Sequence, residues 1–337
     1  MYNLELPLIS KVMGVGLVGT GYAAKLRAEA FQKDARTDLL AIAGKSHERA
    51  LALTQTYNQA EAMNSWQQLV QREDIDLVVI ATINLDHGKI TRAALENDKH
   101  VIVEYPLAVD AQEAEQLIAL AKAKNKLLHV EHIELLGGWH QTLKQNIDNL
   151  GQLFYARLST IKREYPAPRK WTYHHDYFGF PLVGALSRLH RLIDVFGEVV
   201  SVNCHHRYWE TETDYYQTCL CTAQLCFKSG LLAQVIYGKG ETIWQSERKL
   251  EVHGENGGLI LDGNQAMFVQ MGETKMIDMG ARRGLFAKDT TMVLDHLFHG
   301  QPLYVTPEAS LYTLKVASAA SQAAATGLTI FIKKEES

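Results

Sequence analysis

The earliest residues whose spacing carries chemistry are Gly19-Thr20-Gly21-Tyr22-Ala23-Ala24, which follow an apolar run at residues 12–18 and open a stretch of good helix formers. Strand, glycine turn and helix in that order form a cradle for a dinucleotide diphosphate. Gly19 makes the tight turn, Gly21 lets the backbone approach the pyrophosphate, and the small Ala24 lets the helix lie close to the sheet. The first-turn amides of the helix then face the phosphates. A second register, Gly14-x-Gly16-x-x-Gly19, has the same spacing but does not follow a strand, so it lacks the required context. Gly19, Thr20, Gly21, Tyr22 and Ala23 are therefore expected to bind a cofactor.

After the second apolar run, residues 39–43, come Gly44, Lys45, Ser46 and His47. An NAD site places an Asp or Glu here for the ribose hydroxyls, and an acid would repel a 2′-phosphate. Lys45 offers charge and Ser46 a hydroxyl, so the loop favours NADP(H). Ser46 is equally suited to capping the helix that follows. Thr82, Asn84, His87 and Glu104-Tyr105-Pro106 fall at the carboxyl ends of later apolar strands, where open α/β sheets bind their ligands. Thr82, Asn84, His87, Glu104 and Tyr105 join the cofactor set, and Glu104 and Tyr105 are also catalytic candidates.

The elements that must position these groups alternate through the first half. Apolar strands read at 12–18, 39–43, 75–82, 101–103 and 127–130, with helical stretches between them and a helix at 110–124. That order predicts an α/β doubly wound parallel sheet, a Rossmann domain over residues 1–131. Beyond the helix at 138–150, runs at 151–162, 199–208, 218–227, 231–237, 250–253 and 259–261 read as strands without regular intervening helices. They predict a large, mostly antiparallel open sheet in an α+β substrate domain over residues 132–337. Helices are expected at 180–196, between Pro181 and Gly197, and at 289–299 and 307–325.

Length and composition agree: 337 residues, 47% hydrophobic and 21% charged, make about two ordinary globular domains. A net charge of −4 provides no field to hold a polyanion, which argues against nucleic acid. Cys204, Cys219, Cys221 and Cys226 have neither zinc spacing nor the number for a disulfide scaffold, so they read as free thiols in a reducing, cytoplasmic compartment. Glu5 and Pro7 stand where an export signal would carry basic and apolar residues. The longest uncharged stretch, between Lys315 and Lys333, is interrupted by polar residues and suits a buried helix, so no membrane span is expected. His129, Glu131, His132 and Glu134 invite a metal by type, but their spacing crosses a strand end and shares no helical face. No metal is expected.

The glycine turn, Ala81-Thr82-Ile83-Asn84 with His87, and Lys99-His100-Val101 leading to Glu104-x-Pro106 resemble the glucose-fructose oxidoreductase/inositol dehydrogenase (Gfo/Idh/MocA) superfamily over nearly the whole chain. The resemblance implies the same two domains, with the face of the second sheet forming a substrate cleft. Sugar-oxidising members carry a lysine between the Glu and Pro, and a later Asp-x-x-x-His pair. Here Tyr105, Ser187 and Arg191 stand at those three places. Alcohol oxidation needs a base that titrates near neutrality, and tyrosine near 10 and arginine above 12 are poor bases.

Glu104-Tyr105-Pro106-Leu107, residues 129–136, Pro168-Arg169-Lys170-Trp171 with Tyr173, Ser187-Arg188 and Arg282-Arg283-Gly284-Leu285-Phe286 resemble instead the biliverdin reductases, most closely the cyanobacterial branch. That resemblance implies NADPH-dependent reduction of biliverdin to bilirubin, with hydride added at the central methine carbon of the linear tetrapyrrole. Two propionates and flat rings call for cations and aromatic faces. It assigns Arg169, Lys170, Arg188 and Arg191 to the propionates or to the developing charge. Trp171, Tyr173 and Phe180 are assigned to the rings, and His129 and Glu131 to the substrate site. Arg188 is expected to stabilise charge on the reacting pyrrole rather than release a proton, which would arrive through Tyr105, water or a propionate. An NADP-dependent enzyme of another small substrate (sugar, polyol or imine) and a non-catalytic NADP sensor remain alternatives, as do a monomer and a homodimer.

Overall fold

A computed structural model describes residues 8–57, 60–210, 214–280 and 283–332. The expectations read from Glu5, Pro7, Arg282 and Lys333 lie outside these residues. Contacts divide the chain into two compact units, Met1–Ile133 with Arg283–Leu311, and Glu134–Arg282 with Tyr312–Ser337.

In the first unit, β1 (Met13–Val18), β2 (Thr37–Ala43), β3 (Glu61–Met63), β4 (Leu77–Ile80), β5 (His100–Glu104) and β6 (Leu128–Glu131) form one sheet in the order β3-β2-β1-β4-β5-β6. Every pairing is parallel. All residues of β1 and β4 are buried, as continuous apolar strands covered on both faces must be. Helices α1 (Tyr22–Lys33), α2 (His47–Thr54), α3 (Trp66–Val70), α4 (Asn84–Glu96) and α5 (Ala111–Ala123) make the crossovers. The order reverses between β1 and β4, so the switch point lies at the carboxyl end of β1, where the glycine turn stands. Glu104 pairs with Glu131 in the β5–β6 register, which brings two carboxyls together at the strand ends.

The second unit opens with α6 (Gly138–Asn146), which continues as a 3₁₀ turn at Ile147–Leu150. Next come β7 (Leu153–Arg163), a 3₁₀ turn at Trp171–Tyr173, and the short helices α7 (His175–Phe178) and α8 (Pro181–Gly184), then α9 (Ser187–Phe196). Strands β8 (Val199–Glu210), β9 (Tyr216–Phe227), β10 (Leu232–Gly240), β11 (Glu247–Gly254), β12 (Gly257–Asp262), β13 (Gln265–Gln270) and β14 (Glu273–Ile277) follow. The sheet runs β14-β13-β12-β11-β7-β10-β9-β8, and every neighbouring pair but β7 with β10 is antiparallel.

Readings of helix 180–196 and of the strands after β12 need correction. The single helix expected at 180–196 is two, α8 and α9, parted at Ala185 (φ −108°, ψ 39°). Gly184 lies so close to Phe178 that a Cβ there would meet its carbonyl oxygen at 2.6 Å, a tertiary approach that periodicity does not register. Strands β13 and β14 were not expected, because β14 is mostly exposed and carries no apolar alternation.

The chain then returns to the first unit with α10 (Leu285–His299), whose Val293, Leu294 and Leu297 join one core with Met13, Val15 and Leu17 of β1 and Ala24, Ala28 and Phe31 of α1. This return places residues 283–311 with the nucleotide-type sheet, whereas the reading from sequence grouped all of 132–337 together. Helix α11 (Pro307–Thr326) and β15 (Ile330–Phe331), which pairs with β8, complete the elements. Among the described residues no helix is long and apolar enough to cross a membrane.

Candidate active site

Gly19 has φ +137° and donates its N–H to Ala43 O at 2.8 Å. A Cβ at Gly19 would stand 2.1 Å from Ala81 O, so backbone conformation and space both demand glycine. Gly21 caps α1, and nothing lies within 4 Å of where its Cβ would be. Its open side and the first-turn amides of α1, a turn without acidic residues, fit a pyrophosphate. Ala24 is fully buried against the sheet. Gly14 and Gly16 lie inside β1, and a Cβ at Gly14 would strike Asp74 O at 1.9 Å, so the alternative register serves packing.

Tyr22 is 77% exposed beside this turn, and Ala23 is partly buried under it. Lys45 and Ser46 are exposed on the loop after β2, and Ser46 Oγ accepts from the Arg49 amide at 3.4 Å, which makes it the cap of α2. A cavity of about 550 Å³ is lined by Thr20, Gly21, Lys25, Arg49, Leu53 and Tyr57, among others. Its two cations, Lys25 and Arg49, were not anticipated and add anion-binding capacity beside the turn.

Asn84 is the first residue of α4 and is buried, with the half-buried Thr82 two residues before it. His87, a turn further on, is buried, and its Nδ1–H donates to Pro106 O at 2.8 Å. Burial lowers its pKa, so the neutral ring holds the Glu104-Tyr105-Pro106 turn against α4. The Tyr105 ring stacks on His132, with centroids 5.3 Å apart and planes 8° from parallel.

Behind this turn lies a buried polar network that sequence reasoning missed. Arg27 of α1 donates to Glu104 Oε1 at 3.3 Å, to Thr290 Oγ1 at 3.1 Å, and to Asp289 of α10. Asp289 also accepts from His129 Nε2 at 2.8 Å and from the Tyr304 hydroxyl at 2.7 Å. Burial works against its charge, but Arg27 and His129 hold the Asp289 carboxyl well below the usual carboxylate range. Glu131 goes the other way: burial first, then Glu104 beside it, hold its carboxyl well above its ordinary value. A signal for the network existed. Arg27 occupies the second position of the buried stripe Ala24, Arg27, Ala28, Phe31, and Asp289 stands on the buried face of α10.

His129 and Glu131, assigned above to substrate, are each about 1% exposed and engage Asp289 and the Ile133 amide respectively. Their physical task here is to link β6 to α10 and to the turn that follows it. With His132 near Ser310 (2.9 Å), these side chains turn to separate partners, and no group of three metal-ligating side chains occurs among the described residues.

In the second unit, Glu134 gathers three arginines. Arg191 Nη2 donates to it at 2.6 Å, Arg188 Nη1 lies 3.8 Å away and Arg248 Nη2 3.7 Å away. Arg191 is nearly buried, and Arg248 lies over the Trp139 ring at 4.4 Å. Arg188 keeps about a quarter of its side chain exposed, and its Nη1 donates to Ser187 Oγ at 2.8 Å. Asp194, on the same helix as Arg188 and Arg191, binds His140 and Lys144 instead.

Arg169 and Lys170 are exposed; Arg169 lies over Tyr215 and Lys170 reaches Glu164 at 3.3 Å. Trp171 is half-buried near Phe178, while Phe180 meets His206 edge-on. Tyr173 is fully buried with its hydroxyl on Glu164 at 2.7 Å, so its ring belongs to the support of this segment rather than to its surface.

The fold and the glycine turn define a two-domain nucleotide-dependent oxidoreductase. Residues 13–132 match the family described as oxidoreductase, NAD-binding Rossmann fold, and residues 144–331 match its C-terminal alpha/beta domain. The chain belongs to the Gfo/Idh/MocA oxidoreductase family. Among its relatives is biliverdin reductase A of Mus musculus, 26% identical over 90% of this chain and 94% of that protein. The human biliverdin reductase A is 25% identical over 84% of this chain and 86% of that protein. The crystal structure of biliverdin reductase from Synechocystis sp. PCC 6803, in complex with biliverdin and NADP+, matches with a TM-score of 0.92 and 49% identity, covering 94% of this chain and 100% of that one.

Proposed function

We propose that this protein reduces biliverdin to bilirubin with NADPH. The observation that carries the reading is the 49% identity, spread over 94% of the chain and so over both units, to a biliverdin reductase whose complex holds biliverdin and NADP+. The departures at Tyr105, Ser187 and Arg191, which remove the titratable pair suited to sugars, support it.

Gly19, Thr20, Gly21, Tyr22 and Ala23 hold the diphosphate of NADPH, and Lys45 and Ser46 meet its 2′-phosphate, while Lys25 and Arg49 add charge to the cavity that Thr20 and Gly21 line. Bound NADPH supplies a hydride to the pigment's central methine carbon. Thr82, Asn84 and His87 shape the strand ends beside the nicotinamide, and Glu104 and Tyr105 form the turn there. Arg27 and Glu131 fix the Glu104 side chain from behind. Arg188 stabilises the negative charge that develops on the reacting pyrrole, since it stays charged throughout. The proton that neutralises this ring comes from water, a propionate or the Tyr105 hydroxyl. Glu134 aligns Arg188 and Arg191, while Arg169, Lys170 and Trp171 meet the propionates and rings. The site of action is the cytoplasm, in keeping with four free cysteines.

Mixing the protein with biliverdin and NADPH tests the reading. The pigment's long-wavelength absorption should decay as bilirubin absorption rises; persistence of biliverdin beside a reference enzyme that bleaches it would reject the proposal.

A further inference from the structure

Lys239, near the end of β10, is about 5% exposed, yet no carboxylate pairs with it among the ion pairs of the described residues. Its ammonium lies 3.6 Å from the centroid of Phe178, 4.9 Å from Tyr173, 5.5 Å from Tyr216 and 5.7 Å from Tyr237. It donates to the carbonyl of Thr172, which also accepts the Tyr216 hydroxyl at 2.9 Å. One residue on, Tyr173 is tied to Glu164, and Glu164 is held in turn by Lys162 at 2.9 Å. Upstream, the Ala167 amide donates to Glu241 at 3.1 Å. Backbone from 164 to 173 is thus anchored from beneath, while Arg169 and Lys170 remain exposed on its outer side.

Burying an amine costs stability that a methionine of the same length would not, so core packing alone gives no reason for a lysine here. Burial lowers its pKa to about 7, outweighing the nearby Cys219 thiol and Glu164 carboxylate, while Lys170 and Lys162 add to the lowering. Among the described residues its nitrogen donates to one acceptor, the carbonyl of Thr172, the residue between Trp171 and Tyr173.

We infer that Lys239 is a positioning residue for the tetrapyrrole: through the Thr172 carbonyl it fixes the segment that presents Arg169, Lys170 and Trp171. This rests on the biliverdin-reducing reading. A fixed segment loses less conformational freedom on binding, so releasing it weakens pigment binding and leaves the hydride step alone.

Steady-state kinetics of Lys239→Met and Tyr216→Phe, with biliverdin and NADPH varied separately, test it. In Lys239→Met the KM for biliverdin should rise about tenfold, and in Tyr216→Phe about threefold. Values of kcat and of KM for NADPH should stay within about twofold, a split that general loosening of the fold would not produce. Wild-type KM for biliverdin in Lys239→Met, or parallel change of all three constants, overturns the inference. If Lys239→Met fails to fold, Tyr216→Phe decides alone, and an unchanged KM for biliverdin there overturns it. Failure of the unsubstituted protein to reduce biliverdin overturns the functional reading, and this inference falls with it; a loss confined to the variants' expected split leaves that reading intact.

Discussion

Arg27 and Asp289, 262 positions apart in sequence, form an ion pair in which both side chains are closed off from solvent. The pair bolts α10 to α1 behind Glu104, and so ties the late segment 283–311 to the nucleotide-type sheet. A buried pair broken on one side leaves an uncompensated charge, so Arg27→Met and Asp289→Leu should each lower stability by about 3–5 kcal/mol. The double variant should recover most of that loss. Urea unfolding of the three variants checks it, and equal losses in single and double variants would contradict the account.

Arg188→Ala removes the cation assigned to the pyrrole. Turnover, followed by loss of biliverdin absorption, should fall about 10²–10³-fold, the usual consequence of deleting one group that stabilises transition-state charge. NADPH affinity, read from quenching of protein fluorescence, should hardly change. Wild-type turnover would remove Arg188 from the mechanism.

Lys45 and Ser46 are the residues assigned to the coenzyme's 2′-phosphate. Changing them to Asp and Ala should shift the NADPH/NADH ratio of kcat/KM toward NADH by about one to two orders of magnitude. Because Ser46 also caps α2, the same variant should lose about 1 kcal/mol of stability. An unchanged ratio alongside that lower stability would place the phosphate on Lys25 and Arg49 instead.

Acid sensitivity follows from two imidazoles, the half-buried His100 and the buried His190. His100 Nδ1 accepts the Leu127 amide at 3.0 Å, and burial lowers its pKa to about 4, as it does for His190. The unfolded chain binds these protons near 6.5, so between that pH and about 4 it holds more protons than the folded one. The stabilising contribution is complete above pH 6.5 and disappears as pH falls through 4, on the order of 2–3 kcal/mol for each ring. His100→Asn keeps an acceptor for the amide without the titration, and should flatten part of the decline in melting temperature between pH 7 and 4.

The sequence by itself determined the elements whose signals are local. Glycine spacing after an apolar strand located the turn at Gly19 and Gly21, apolar runs located every parallel strand but the short, partly exposed β3, and Ser46 was legible as a cap. Helix 180–196 was misjudged because its break comes from the contact of Gly184 with Phe178, and β14 went unseen because an exposed edge strand needs no apolar alternation. Tertiary structure alone decided which acid meets which base. Glu134 rather than Asp194 holds Arg191, Asp289 reaches back to Arg27 and His129, and His129 and Glu131 become inward links. The physical reason is range. Backbone patterns repeat over a few residues and can be read along the chain, whereas a buried charge finds its partner wherever folding brings one within hydrogen-bonding distance.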